Sequence, residues 1–332
     1  MANKQIRKLL LLGMVSFLMV LSSCKTTKND ELEVNYRDEM RQFVIKLSED
    51  AKELNPNFII ISQNGHSLLT INGESNGRLA LDYLRAIDGV GREDLFYGYE
   101  EDNRKTNNED NEDMLAFMEI AKANDITVLV TDYCFTHEYM DDSYLQNSEL
   151  GYLSFAADER MLNDIPTYPV TPYNVNDNDI LTLSDAKNFL YLINPELFST
   201  KEEFINAILL TNYDLIIIDL FFIDNYQLTS DDIKLLKTKE NGGSRLVIAY
   251  MSIGEAEDYR YYWLEEWDNN HPSWLDKENA QWEGNYKVKY WDKAWQNIIF
   301  GNNDSYLKMI LDASFDGVYL DIIDAYEYFE EK

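Results

Sequence analysis

Apolar residues recur along this chain in two periods, and the alternation between those periods suggests the fold. Met40, Phe43, Val44, Leu47, Ala51 and Leu54 fall on one face of a 3.6-residue spiral, which predicts an amphipathic helix over 35–54. Asn55-Pro56-Asn57 stops it, and the run from Phe58 to Ser62 follows as a short buried strand. Further strands of this kind are expected at Ala86–Val90 with Leu95–Tyr97, Ile126–Asp132, Tyr152–Phe155 and Asn188–Ile193. Three more are expected at Leu215–Leu220, Arg245–Ser252 and Gly317–Ile323. Helical or loop stretches at 109–124, 199–211, 229–240 and 292–312 separate most of them, while 100–113 and 141–182, rich in Asp, Asn and Pro, read as loops.

Strands that alternate with helices imply a parallel sheet with right-handed crossovers. Eight of them over about 280 residues favour a single-domain (β/α)8 TIM barrel over an open sheet. The chain ends eight residues after Asp324, too soon for a full closing helix, and the helix at 35–54 is expected to cover that gap.

The start of the chain reads as an address. Lys4, Arg7 and Lys8 precede an apolar run from Leu9 to Leu21, a secretory-signal pattern too short for a first reading as a membrane span. Leu21-Ser22-Ser23-Cys24 resembles a bacterial lipobox. The resemblance implies a signal peptide over 1–23, a lipid anchor on Cys24, a polar tether over 24–34 and a folded domain over 35–332. The expected location is the bacterial cell envelope, at the outer membrane or cell surface, and an uncleaved anchor would still hold the domain outside the cytoplasm. With Cys24 lipidated, Cys134 has no partner for an intrachain disulfide.

Charge narrows the partners. Sixty acidic residues against 29 basic ones leave −31, the opposite of the basic footprint that nucleic acid requires. Such a chain would instead concentrate a polycation, for example a partly deacetylated amino-sugar polymer. Two cysteines and three histidines argue against a disulfide scaffold or a Cys/His zinc site. His66, His137 and His271 have no ligand spacing, Gly89-Val90-Gly91 lacks the third glycine of a dinucleotide loop, and the acidic stretches at 109–113 and 177–179 lack the pattern of a calcium hand. No cofactor or metal is expected.

In a barrel the chemistry gathers at the C-terminal ends of strands. Those ends are expected at Gln63-Asn64-Gly65, Asp88, Asp132-Tyr133, Asn194, Asp219, the run Ser252 to Arg260, and Asp321 with Asp324. A carboxylate closing an apolar run such as Leu215–Ile218 or Gly317–Leu320 needs partners or a cleft. Several on one rim, without a nucleophile motif or metal spacing, point to glycoside hydrolysis. All six tryptophans lie between Trp263 and Trp295, interleaved with tyrosines. Such aromatic faces suit sugar rings, although the four-residue spacings of Trp263 with Trp267 and Trp291 with Trp295 also suit a packed helix.

Three stretches in order carry a resemblance. They are Arg245-Leu246-Val247-Ile248-Ala249-Tyr250-Met251-Ser252-Ile253-Gly254-Glu255-Ala256-Glu257-Asp258-Tyr259-Arg260, then Gly284 to Trp291, then Phe315-Asp316-Gly317-Val318-Tyr319-Leu320-Asp321-Ile322-Ile323-Asp324-Ala325-Tyr326. Together they resemble glycoside hydrolases related to family 114, the endo-α-1,4-polygalactosaminidase group, strongly over 186–330. The resemblance implies a TIM barrel and an extracellular glycosidase. In that group one catalytic acid is the Asp of a Glu-Asp-aromatic-Arg motif, which matches Asp258. The other is a Glu whose position is taken here by Tyr319. Asp321 projects from the same strand face and is expected to replace it.

The expected site therefore has Asp258 and Asp321 as principal carboxylates and Glu255 and Asp219 as second-rank acids. Asn64, Arg260 and Tyr319 are expected to orient substrate hydroxyls, with Trp263, Trp291 and Asp324 contributing further substrate contacts. The rival reading is a non-catalytic glycan-binding surface lipoprotein on a degenerate barrel, which the substitution at Tyr319 favours.

Overall fold

The computed structural model describes residues 34–332 apart from Asp224. The expected signal peptide, Cys24 and nearly all of the tether lie outside the described residues. Eight parallel strands make the central sheet: β1 (Ile59–Gln63), β2 (Gly89–Glu93), β3 (Thr127–Tyr133), β4 (Leu153–Ala157), β5 (Phe189–Tyr191), β6 (Leu215–Ile218), β7 (Leu246–Ser252) and β11 (Gly317–Asp321). Their order is β4-β3-β2-β1-β11-β7-β6-β5. The terminal strands β4 and β5 meet through Phe155 and Phe189, whose ring centroids are 5.8 Å apart, so side chains close the circle where the ladder does not. The architecture is a nearly closed (β/α)8 TIM barrel, as the alternation of periods implied.

Helices α1 (Tyr36–Leu54), α2 (Leu81–Ala86), α3 (Asn108–Ala123), α4 (His137–Leu150), α5 (Lys201–Leu209) and α6 (Ser230–Leu236) flank the first seven of those strands. Between β7 and β11 the chain builds a three-stranded antiparallel sheet, β8 (Glu255–Glu257), β9 (Leu275–Glu278) and β10 (Asn285–Val288), and then α7 (Lys293–Ile299) and α8 (Tyr306–Asp312). Helix α9 (Tyr326–Glu330) ends the described chain. Helix α1 buries the apolar face read from its periodicity. It donates from Ser48 Oγ to the Ala86 carbonyl at 2.6 Å on one side and packs Phe43 on Phe300 at 5.9 Å on the other. It thus packs between α2 and the segment that follows α7.

Three local expectations fail for identifiable reasons. The second strand is Gly89–Glu93, not Ala86–Val90 with Leu95–Tyr97, because its glycines and charged end hide an apolar signature. Asp88 therefore lies at the opposite end of the barrel, where it accepts from the Ile60 amide at 2.9 Å. Residues 141–150, expected as loop, belong to α4. Its inner face carries Ser143 and Asn147, which donate to the buried Asp132 carboxylate at 2.6 and 3.3 Å, so polar residues break the apolar stripe. Residues 109–113 likewise open α3, capped by Asn107. The stretch 292–312 holds two helices, the second capped by Ser305.

The barrel interior holds tyrosines from β5 and β11. Tyr191 and Tyr319 meet edge to face at 5.1 Å, and Tyr191 donates to Gln63 Oε1 at 3.0 Å. Gly91 makes room for this layer: a Cβ there would stand 1.9 Å from the Tyr319 hydroxyl. Gly89-Val90-Gly91 is thus a strand hollowed to accept a phenol. Gly91→Ala should destabilise the fold by about 1–3 kcal/mol through overpacking. Thermal melts of Gly91→Ala alone and combined with Tyr319→Phe would check this, the second change recovering part of the loss.

Candidate active site

The C-terminal ends of β1, β2, β3, β7 and β11 converge on one group of polar side chains. Asn64 follows β1 in a left-handed conformation (φ 57°), one that Asn tolerates better than most residues. Its Nδ2 donates to Glu93 Oε2 at 2.9 Å, and its Oδ1 accepts from the Glu93 amide at 3.2 Å. The Tyr133 hydroxyl donates to the other Glu93 oxygen. Above Tyr133 lies the Arg160 guanidinium, 3.8 Å from the ring centre, tied to Asp94 at 2.8 Å.

Asp321 ends β11. Its Oδ2 accepts from the Tyr250 hydroxyl at 2.7 Å and its Oδ1 from the Ile322 amide at 2.7 Å. Ile322 adopts φ 57°, a costly conformation for a β-branched residue, and in doing so aims its N–H at the carboxylate. Burial first, then Glu93 and Asp324, push the Asp321 carboxyl up to about 8 against the opposing Tyr250 hydrogen bond. Asp324 rises to about 6, first through burial and then through Glu327, with Lys287 pulling the other way. Asp321 is therefore a neutral acid at pH 7.

A cavity of about 370 Å³ adjoins this group, its wall including Asn64, His66, Arg92, Glu93, Asp324 and Glu327. His66 lies 3.2 Å from an Arg92 nitrogen, and burial and then that charge lower its pKa to about 3, so the ring is neutral. Among the described residues no group of three or more His, Cys, Asp or Glu is arranged to hold a metal ion.

Several expected site residues stand elsewhere. Asp258 is exposed at the small sheet, and the charges acting on it are Glu278, Asp268 and Glu283, while those acting on Asp321 are Glu93 and Asp324. Its neighbour Glu257 is buried instead and accepts from Arg260. Arg260 is buried and committed: Nη1 and Nη2 donate to Asp219 at 2.9 and 2.7 Å and Nε donates to Glu257 at 2.6 Å. Against the cost of burial, Asp219 and then Glu257 hold its pKa well above the usual value. Neither Arg260 nor Asp219 is free to meet a substrate. Glu255 is fully buried beside Lys287 and accepts from Asn279 at 2.9 Å, a held carboxylate and not an open one.

Tyr319 is also fully buried, so it lies beneath the site and does not touch a ligand in the cavity. Its hydroxyl has no partner among the described residues. Trp291 packs among Tyr36, Tyr290 and Phe329 at 4.7–5.0 Å and belongs to the outer core. Trp263 is half-buried on the small sheet, 4.9 Å from Tyr286, with its indole N–H on Asp268 at 2.8 Å. Trp274 and Trp295 are buried, and Trp282 is exposed. Asn64, Asp321 and Asp324 are the expected residues that the barrel brings together. Glu93, Tyr133 and Tyr250 join them. Of these, Tyr250 was legible from its inward parity within the 245–252 strand, whereas Glu93 was not.

A TIM barrel with a carboxylate-rich C-terminal rim defines the general class to which many polysaccharide-cleaving enzymes belong. Residues 199–332 match the model of glycoside-hydrolase family GH114, to which this part of the chain is similar. An uncharacterized protein of Methanocaldococcus jannaschii is 46% identical over 130 residues, which span 39% of this chain and 35% of that protein. One from Thermotoga maritima is 49% identical over 85 residues, 26% and 25% of the two chains. Another, from Deinococcus radiodurans, is 35% identical over 128 residues, 39% of each. The chain therefore matches well under half the length of each of these relatives.

The Asp321 carboxyl has a signature in stability. Unfolded, it titrates near 4; folded, near 8. Between those values the folded state holds the extra proton, so this group's contribution to stability falls as pH rises from about 4 to about 8. Asp321→Asn removes that slope, and denaturant midpoints at pH 5 and pH 9 should show the variant gaining on the wild type at the higher pH.

Proposed function

We propose that the protein is a lipid-anchored, exported glycosidase that cuts an amino-sugar-containing polysaccharide, with Asp321 as the proton donor. The observation that carries this reading is the Asp321 carboxyl, protonated at neutral pH through burial and Glu93, beside an acidic cavity at the C-terminal end of the barrel. The GH114 match over 199–332 supports glycoside hydrolysis. A net charge of −31 and the cavity residues Asp110, Asp113 and Glu327 support a cationic sugar polymer as substrate. The lipobox-like Leu21-Ser22-Ser23-Cys24 supports the anchor and an envelope location. The glycan-binding alternative draws on Tyr319, a buried tyrosine where the characterised group has its catalytic Glu.

The deciding experiment is product release from bacterial exopolysaccharides that include partly deacetylated galactosamine and glucosamine polymers. Wild type should release oligosaccharides, and Asp321→Asn should lose about 10²–10⁴-fold in kcat/KM. Activity depends on the protonated form, so the rate should fall as pH rises through about 8. Binding without any product would favour the glycan-binding alternative. Cys24→Ser should move the protein from the membrane to the soluble fraction, read by detergent phase partition.

A further inference from the structure

Glu93 and Asp321 come from β2 and β11, the two neighbours of β1 in the sheet. Ile61 is paired with Tyr319 on one side and Gly89 on the other, and Gln63 is paired with Gly91. The Tyr319 phenol fills the space beside Gly91, so both positions face the barrel interior. Residues two further along a strand face the same way. Glu93 and Asp321 therefore stand one layer above Gly91 and Tyr319, on opposite sides of β1. The fields agree with this geometry, because Glu93 acts on Asp321, Asp324, Tyr319 and Tyr191.

Four other carboxylates of this end are committed elsewhere or exposed. Asp219 and Glu257 share Arg260, Glu255 pairs with Lys287, and Asp258 is in solvent. Asp324 follows Asp321 on the same segment, lines the cavity and has Lys287 among the charges acting on it. Glu93 forms no ion pair among the described residues. Its two oxygens are held by uncharged donors, Asn64 and Tyr133, which fix its direction without neutralising it. It lines the cavity, and its charge acts on Asp321 behind it.

We infer that Glu93 is the second catalytic carboxylate, the anionic partner of Asp321 across the scissile bond, with Asn64 and Tyr133 as its positioning residues. This rests on the glycosidase reading. In hydrolysis the bond from the anomeric carbon to the glycosidic oxygen breaks, and the Asp321 proton goes to that oxygen. A hydroxyl from water bonds to the carbon, and the remaining proton of the water restores the pair. Glu93 faces the positive charge that develops at the anomeric carbon between those events.

The test uses the full chain and whichever polymer the wild type cleaves, with Glu93→Gln and Glu93→Ala. Glu93→Gln should lower kcat by about 10³-fold with little change in KM. Glu93→Ala should regain turnover in sodium azide and yield a glycosyl azide by mass spectrometry, a product that a merely structural role would not give. Two results overturn the inference. One is a Glu93→Gln variant with wild-type kcat at acidic pH whose basic limb alone has moved down, which would make Glu93 a tuner of Asp321. The other is loss in Glu93→Ala without azide rescue. A wild type that cleaves nothing in the panel overturns the glycosidase reading, and the inference falls with it.

Discussion

A carboxylate taken out of water costs several kcal/mol unless something answers its charge, and the C-terminal end of this barrel holds many of them. Each is answered differently. Asp219 and Glu257 share one guanidinium, Arg260. Glu255 takes an ammonium, Lys287. Asp132 is met by two backbone amides, a serine and an asparagine. Asp321 is met by no cation either. It has one phenol, one strained backbone amide and a neighbouring carboxylate, and it resolves the conflict by keeping its proton.

That difference separates the scaffold from the chemistry. The Arg260 pairs tie the small sheet to the barrel, since Arg260 follows β8 and reaches Asp219 at the end of β6, while Lys287 of β10 holds Glu255 of β8 within the small sheet. They are stabilising only as complete sets, since losing one partner leaves a buried charge exposed to its full cost. The group around Glu93 and Asp321 is built from neutral donors, which orient a carboxylate without removing its charge or its proton. The tyrosine layer beneath, closed by Gly91, holds both strands at a fixed separation and excludes water from below.

Much of this was legible in the sequence and some was not. Long apolar runs such as Leu215–Ile218 and Leu246–Ser252 announced their strands because every side chain there is buried. β2 did not, because two glycines and a charged end replace its apolar residues. That single slip placed Asp88 on the rim in the sequence reading and concealed Glu93. Helix α4 was missed because the Asp132 network requires Ser and Asn on its inner face. The motif around Asp258 was visible, but the buried member is its neighbour Glu257.

The sequence by itself determined the order of elements, the barrel they form, the acidity of the chain and the presence of Asp321 at a strand end. These follow from local periodicity and composition, which tertiary contacts do not alter. Only the tertiary structure decided which carboxylates meet, which are neutralised and which stay free. Those outcomes depend on strand register, on side-chain parity and on cations brought from distant segments. A field between two charges is set by their separation in space, and separation along the chain does not encode it.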